Sequence, residues 1–468
     1  MPTSLSCNGY KIVKKEYTNA EIKAIKDELS VKPFVYNQKN ESKFQVYLES
    51  PKKLYLPRFF GLERFGQPVN DTMNDGEDIE IDFNGKLRDE QVPIEETYLD
   101  SAKKKGGGII SLRCGGGKTV LALHIFYRLQ KKAIVVVHKD FLMTQWRDRI
   151  KQFLPEARIG KIQQNTVDIE NKDIVLAMVQ SLSMKEYDDE TFDSFGLAIF
   201  DECHHLGAEV FHRSMSKVAS RYMLGLSATP KRKDGLTKVF EWYIGPIVFS
   251  QKTKNNDYAE VQLIPFESDD VQYSKIELNF RKEPCMPKMI NNICGYKQRT
   301  NVIIDLLKKY YNEGRNILIL SDRRGHLEEI SKIISDYSWG FYVGGMKPDQ
   351  LRESQQKRIL LATFSMASEG MDIPSLDTVI LSSPKSDVEQ SVGRIFRKKQ
   401  CDRIRHPLII DIQDKFSSFD KQSQKRVQFY HKMNFTIYCD GEKIEPKKKG
   451  RKKKKVEIPQ FALIDDDE

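Results

Sequence analysis

The sequence predicts an α/β protein built from two parallel-sheet lobes, with a small N-terminal α+β module and a basic C-terminal tail. Three observations carry that expectation. Continuous apolar runs alternate with amphipathic stretches from about residue 86 to 249, the mark of parallel strands covered on both faces. The same alternation returns after about residue 290. The length, 468 residues, accommodates two or three domains at roughly 100 to 200 residues each.

Taken in order, residues 1–84 alternate short apolar runs such as KFQVYL and KLYLPRFFGL with a Lys-rich helical stretch near Glu21 to Leu29. They end in the polar segment NDTMNDGEDIEIDFNG, which reads as a boundary. Lys52, Lys53, Arg58 and Arg64 lie among Tyr47, Tyr55, Phe59, Phe60 and Phe65, a mixture that either fills a core or holds phosphates and stacks bases. Residues 85–249 form the first lobe, with strands GIISL (108–112), AIVVVH (133–138), IVLAMV (174–179), LAIFD (197–201) and MLGLS (223–227). Residues 250–290, with the alternating EVQLIPF and then Pro284 and Pro287, suit a connector. Residues 291–440 form the second lobe, and 441–468 a charged tail.

Charge and cysteine usage narrow the class. There are 76 Lys and Arg against 66 Asp and Glu, a net charge of +10. Residues 447–455, KKKGRKKKK, hold eight positive charges in nine positions, and the chain closes on IDDDE. Such a run cannot fold on itself; a solubilising tail, a nuclear-import signal and a phosphate-binding arm all remain open. The seven cysteines contain no C-x-x-C pair, so neither a zinc ribbon nor a disulfide framework is expected. No apolar run reaches the roughly 18 residues of a membrane span, and the N-terminus lacks the form of a secretory signal. A soluble, intracellular protein is expected, with nucleus, viral factory and virion open.

The chemistry sits at strand ends. GIISL runs into RCGGGKT and a helix: Cys114, Gly115, Gly116 and Gly117 would close backbone N–H groups around phosphates. Lys118 would reach the β- and γ-phosphates, and the Thr119 hydroxyl would ligate magnesium. Leu112 stands where the first glycine of such a loop is usual. Lys118 is followed 83 residues later by Asp201 of FDECHHL, at the end of LAIFD. Asp201 would hold magnesium through water and Glu202 would activate the attacking water. Cys203 and His204 lack the spacing of a metal site, and His204 is read as transmitting nucleotide state.

Together with Ser227-Ala228-Thr229 and QSVGRIFR (390–397), these segments resemble the superfamily 2 helicases of the DExH type over about residues 85 to 415. The resemblance implies two RecA-like lobes, with ATP and magnesium as cofactors and DNA or RNA as partner. It implies an adenine-reading element in LRDEQ, with Gln91 and Arg88 at the base, and coupling of hydrolysis to movement through Ser227, Ala228 and Thr229. Gln390, Gly393, Arg394 and Arg397 match the closing motif, whose arginines cross the cleft to the γ-phosphate. Charge spread in the transition state of phosphoryl transfer gives such arginines a reason to come from the opposite lobe.

In ILLATFSMASEGMDIP the resemblance places Thr363 on phosphate or sugar, and Glu369, Gly370 and Asp372 at the cleft. Gln180 and Ser181 of VQSL, and HKDFLMTQW from His138 to Trp146, match first-lobe positions that track one strand. Contacts of this kind carry little sequence information. Arg232, Lys233 and Asp234, after the Ser-Ala-Thr motif, resemble the XPB-type branch and viral helicases related to the poxvirus transcript-release helicase. KLYLPRFFGLERFG resembles the leader of such viral proteins.

The expected activity is therefore an ATP-dependent helicase or translocase acting in transcription or transcript release, with transcription or repair machinery as partners. The alternative is a duplex-DNA translocase that separates no strands and serves repair or restriction. A binding module without turnover is disfavoured by the presence of Lys118, Asp201, Glu202 and Arg394.

Overall fold

A computed structural model describes residues 3–32, 43–112, 116–188, 190–202, 208–228, 236–251, 258–371, 373–398 and 400–445. Two eight-stranded sheets dominate. In the first, the strands lie in the order Thr166–Asp168, Ile159–Gln163, Ile174–Met178, Ala133–Val137, Leu197–Phe200, Tyr222–Ser227, Gly107–Ser111, Ile247–Ser250. Every neighbouring pair is parallel except the one formed by the edge strand Thr166–Asp168. All five residues of Ala133–Val137 are buried, because helices cover both faces of the sheet.

The second sheet runs Trp339–Tyr342, Ile359–Thr363, Ile317–Ser321, Thr378–Leu381, Leu408–Asp414, Glu260–Phe266, Thr436–Cys439, Glu442–Ile444. It too is parallel, apart from the last hairpin. Two expected boundaries shift as a result. Glu260–Phe266, expected in the connector, is an interior strand of the second lobe, and Glu442–Ile444, expected in the tail, is its edge. Alternating EVQLIPF resembles a half-exposed strand because only Val261 and Leu263 are deeply buried, yet both of its edges are paired.

The N-terminal residues form a small sheet in the order Leu48–Glu49, Lys53–Leu56, Gly9–Val13, Ser4–Ser6, Asn70–Asp71, with helices Asn19–Glu28 and Arg58–Phe65. A capping box at Thr18 and Glu21 starts the first of these helices. Its core is continuous with the first lobe: Tyr10, Ile12, Leu54 and Phe60 share one apolar cluster with Leu236, Val239 and Trp242. Arg221 clamps the junction through Asp71 (2.6 Å), Asp75 (2.7 Å) and the Met73 carbonyl (2.7 Å).

The segment read as a boundary is laid along the first lobe. Glu77 N–H donates to Ser194 O, Ile79 N–H to Gln130 O and Asn84 N–H to Phe153 O. Gly76, at φ +69°, lies so close to Gly196 that an added Cβ would stand 2.1 Å from the Gly196 nitrogen. The aromatic and basic mixture resolves toward packing. Tyr47, Phe59 and Phe60 are buried, Arg58 donates to Arg221 O (2.8 Å) and Arg64 pairs with Glu28. Among the described residues no helix is long and apolar enough to cross a membrane.

Candidate nucleotide site and its cleft

Three adjacent strands of the first lobe, Leu197–Phe200, Tyr222–Ser227 and Gly107–Ser111, end at one edge of the sheet, and the motif residues follow directly. Leu112 is buried, and its N–H donates to Ser227 O (3.0 Å), stitching the start of the phosphate loop to the Ser-Ala-Thr segment. Gly117, in the left-handed region at φ 76°, precedes helix Lys118–Leu129. That backbone favours glycine, and at this close approach an added Cβ would stand 2.6 Å from Gln91 Nε2 and displace it.

Gln91 explains that approach. It is 3 % exposed, its Oε1 accepts from Arg88 N–H (3.1 Å), and its Nε2 donates to Gly116 O (3.1 Å) and Gly117 O (3.3 Å). The residue expected on the adenine thus braces the phosphate loop, because loop carbonyls turned inward need donors. Arg88, half exposed and 3.8 Å from Glu90, sits at the rim.

Asp201 lies at the floor of the site. Its N–H donates to Val136 O (3.1 Å), and its Oδ2 accepts from the indole N–H of Trp146 at 2.8 Å. Burial, then the neighbouring Glu202, pushes its carboxyl above the usual range, against the opposing pull of Lys118 and the Trp146 bond. Glu202 holds a left-handed backbone at φ 48°, rare for this residue type. Its carboxylate pairs with Lys118 Nζ and accepts from Ala228 N–H (3.4 Å). Lys118, Asp201, Glu202 and Ala228 therefore converge, with Thr119 partly buried beside them and Ser227 fully buried beneath.

A magnesium ion fits this donor set. Hydroxyl and carboxylate oxygens are hard ligands, and Mg²⁺ keeps several waters and phosphate oxygens rather than an all-protein cage. No group of three or more acidic, His or Cys ligands occurs among the described residues, as such a site requires none. Thr119 and Asp201 would hold the ion.

Trp146 belongs to helix Asp140–Phe153 and is 1 % exposed, so it cannot track a nucleic-acid strand as its segment was expected to do. Its length of apolar ring fills the core while its N–H reaches Asp201. The signal that finds it is the helical spacing of Leu142, Met143, Trp146 and Ile150, which places the indole on the buried face. Ser181 is likewise buried, its Oγ accepting from Gln164 N–H (2.9 Å), whereas Gln180 is exposed and donates to His138 O (3.0 Å).

In the second lobe, Thr363 pairs in register with Ser321 and precedes helix Phe364–Gly370. Helix Asp140–Phe153 of the first lobe packs against that helix across the cleft. Gln390 lies in the short helix Glu389–Val392, followed by a 3₁₀ turn. Arg394, expected to reach across the cleft, is 4 % exposed and turned inward: it donates to Ala367 O and to Met371 O (2.9 Å). Arg397 donates to the same Met371 carbonyl at 3.3 Å. A buried guanidinium needs acceptors, and carbonyls at a helix C-terminus supply them. Those carbonyls belong to the same lobe as the two arginines. Cys114, Gly115, His204, Thr229 and Asp372 lie outside the described residues, as do the side chains at Glu369 and Gly370.

Two buried ion pairs escaped the sequence reading. Arg299 grips Asp414 through Nε (2.7 Å) and Nη2 (3.0 Å), with Tyr273 OH on the same carboxylate at 2.6 Å. Arg426 grips Asp411 at 2.8–3.0 Å, with Tyr430 OH at 3.0 Å. Two aspartates inside the apolar run LIIDIQD were the available signal.

Residues 84–232 match the family described as type III restriction enzyme, res subunit, and residues 298–399 match the helicase conserved C-terminal domain. A protein of Acanthamoeba polyphaga mimivirus, named as a candidate ATP-dependent RNA helicase, is 34 % identical over 98 % of this chain and 92 % of its own length. A candidate helicase of Invertebrate iridescent virus 6 is 26 % identical, covering 76 % of this chain and 83 % of its own. A candidate ATP-dependent RNA helicase of African swine fever virus is 24 % identical over 75 % of each. With both helicase domains matched in order and a relative of this identity aligned along nearly the whole chain, the protein belongs to the superfamily 2 helicases and is a nucleic-acid-dependent ATPase.

Proposed function

We propose that this protein hydrolyses ATP at the cleft face of the first lobe and couples turnover to movement along a nucleic-acid strand held by both lobes. The observation that carries the reading is the convergence of Lys118, Asp201, Glu202 and Ala228 at the ends of three adjacent strands. Lys118 exchanges Glu202 for the β- and γ-phosphate oxygens, which leaves the Glu202 carboxylate to orient and deprotonate the attacking water. Thr119, and Asp201 through water, would hold magnesium, which when bound would offset charge on the phosphates. Gln91 sets the shape of the loop formed by Cys114, Gly115, Gly116 and Gly117, and Arg88 at the rim meets the base.

Ser227, Ala228, Thr229 and His204 carry the state of the site outward, since Glu202 touches the Ala228 N–H. Arg394 and Arg397 exchange the carbonyls of Ala367 and Met371 for phosphate when the lobes close, alongside Gln390, Gly370 and Asp372. Gln180 and Thr363 take the strand backbone, with Ser181 shaping the turn beneath it. We assign the activity to an intracellular setting, in transcription or transcript release, in line with the resemblance of residues 232–234 and with the viral relatives.

The test measures ATP turnover of the full chain alone and with single-stranded RNA, single-stranded DNA and duplex DNA. Stimulation by at least one strand supports coupling; maximal turnover with none of them overturns it. The first-lobe match to a restriction-enzyme subunit favours a second reading, a duplex-DNA translocase that separates no strands. Stimulation by duplex DNA without displacement of a labelled strand selects that reading.

A further inference from the structure

Between the short helix Val271–Ser274 and helix Met286–Gly295 the chain forms a hairpin that neither the sequence motifs nor the nucleotide site uses. Leu278 and Pro284 make an antiparallel bridge, and Cys285 N–H donates to Glu277 O (2.6 Å). The tip is closed twice over. Asn279 N–H donates to Glu283 O (2.8 Å), and the Asn279 side chain accepts from Arg281 N–H (2.8 Å) and Glu283 N–H (3.0 Å). Lys282 takes the left-handed conformation, φ 58°, that completes the turn. The base is equally fixed, because Tyr273, Met289 and Ile293 are buried with Phe419 in one apolar cluster.

This well-bonded hairpin displays what a fold normally hides. Ile276 and Leu278 on the arm and Phe280 in the turn at its tip are 54 %, 47 % and 90 % exposed. Arg281 lies over the Phe280 ring, 5.2 Å from its centroid. Among the described residues neither Arg281 nor Lys282 is in an ion pair, whereas Lys275 is paired with Glu277. An exposed aromatic ring beside two cations is the composition that stacks on a base while neutralising the adjacent phosphates.

The position of the hairpin points to the same occupant. Helix Met286–Gly295, which continues from it, is tied to Arg323: Nη2 donates to Pro287 O (3.0 Å) and Nε to Asn291 Oδ1. Arg323 follows strand Ile317–Ser321, whose Ser321 is the register partner of Thr363. The hairpin therefore rises from the same sheet edge as the residue assigned to the strand backbone.

We propose that residues 277–285 form a base-stacking contact for single-stranded nucleic acid, with Phe280 on an unpaired base and Arg281 and Lys282 on the flanking phosphates. The proposal rests on the nucleic-acid function above, and its test separates the two. Full-length wild type, Phe280→Ala and Phe280→Trp are titrated with a short single-stranded oligonucleotide and with an abasic strand of the same length. Phe280→Ala should weaken binding of the normal strand by about tenfold and of the abasic strand by less than about twofold. Phe280→Trp should bind as wild type does, with an added indole fluorescence quenched by the normal strand and not by the abasic one.

Equal weakening on both strands, no weakening, or an unquenched indole at position 280 overturns the stacking contact. If wild type binds the normal strand and Phe280→Ala binds it alike, the nucleic-acid function stands and a protein partner becomes the occupant of this apolar face. If wild type binds neither strand, the hairpin assignment falls together with the single-strand reading, and the duplex reading takes its place.

Discussion

Asp201 of the first lobe and Asp411 and Asp414 of the second are buried aspartates held in opposite ways. Asp201 of the first lobe meets a neutral indole N–H at 2.8 Å and has an acidic neighbour, and its carboxyl is pushed up. Asp411 and Asp414 of the second lobe are each gripped by a guanidinium and a tyrosine, with Arg299 and Arg426 at most 2 % exposed. Burying a charge costs several kcal/mol unless it is paired, so Arg299 and Arg426 neutralise that cost at Asp414 and Asp411, whereas at Asp201 the Trp146 bond and the charge of Lys118 offset it only in part. The arrangement in the second lobe fastens helices Lys297–Asn312 and Ser417–Lys432 to strand Leu408–Asp414. Under the proposed function, that at Asp201 would keep a carboxylate for a cation arriving with the substrate.

The largest expected effect breaks the first side of this comparison. Glu202→Gln should lower ATP turnover by about 10²- to 10⁴-fold while nucleotide binding persists, and Lys118→Ala should lose both. Steady-state hydrolysis and binding of a fluorescent ATP analogue check this; near-normal turnover by Glu202→Gln would sink its role in activating water.

Next comes a contrast between the aspartates themselves. Asp414→Asn should cost about 3–5 kcal/mol, seen as a lower Tm, because Arg299 is left buried with no counter-charge. Asp201→Asn should abolish turnover yet leave Tm unchanged or raised, since it removes a charge that burial disfavours. A fall in Tm for Asp201→Asn as large as for Asp414→Asn would erase the distinction.

Acid titration applies the comparison to histidines. Burial lowers His326 of the second lobe to about 3 and His212 of the first to about 4, both below the ordinary 6.5. Both are therefore neutral when folded, and the unfolded chain takes up their protons first as pH falls below 6.5. Stability present above that value is lost on acidification, by about 2 kcal/mol per histidine at pH 5. Denaturant unfolding at pH 7 and 5 should show a shallower loss for His326→Gln and for His212→Gln than for wild type; an unchanged slope in both would refute buried neutral imidazoles.

The smallest effect sharpens the account of Asp201. Trp146→Phe keeps the ring in the core and removes the N–H, so kcat should fall about tenfold with KM for ATP within about twofold. A parallel fall in Tm of the size expected for Asp414→Asn would mean that the indole serves packing rather than the carboxylate.

Much of this was legible in one dimension. The runs GIISL, AIVVVH and LAIFD announce parallel strands because both faces of each are buried, and period and length alone reveal that. The glycines before Lys118 and the acidic pair after LAIFD state their chemistry through residue type and the strand ends they follow. Tertiary structure decided what depends on direction and distant partners. Gln91 turns to the loop carbonyls 25 residues away, and Trp146 reaches Asp201 across 55. Glu260–Phe266 finds its neighbours at Leu408–Asp414 and Thr436–Cys439, far along the chain, so its pattern alone could not place it inside a sheet. Periodicity reports which face of an element is buried. Which buried atom meets which, and whether an arginine points to the cleft or to its own lobe, is set by packing that only the folded chain contains.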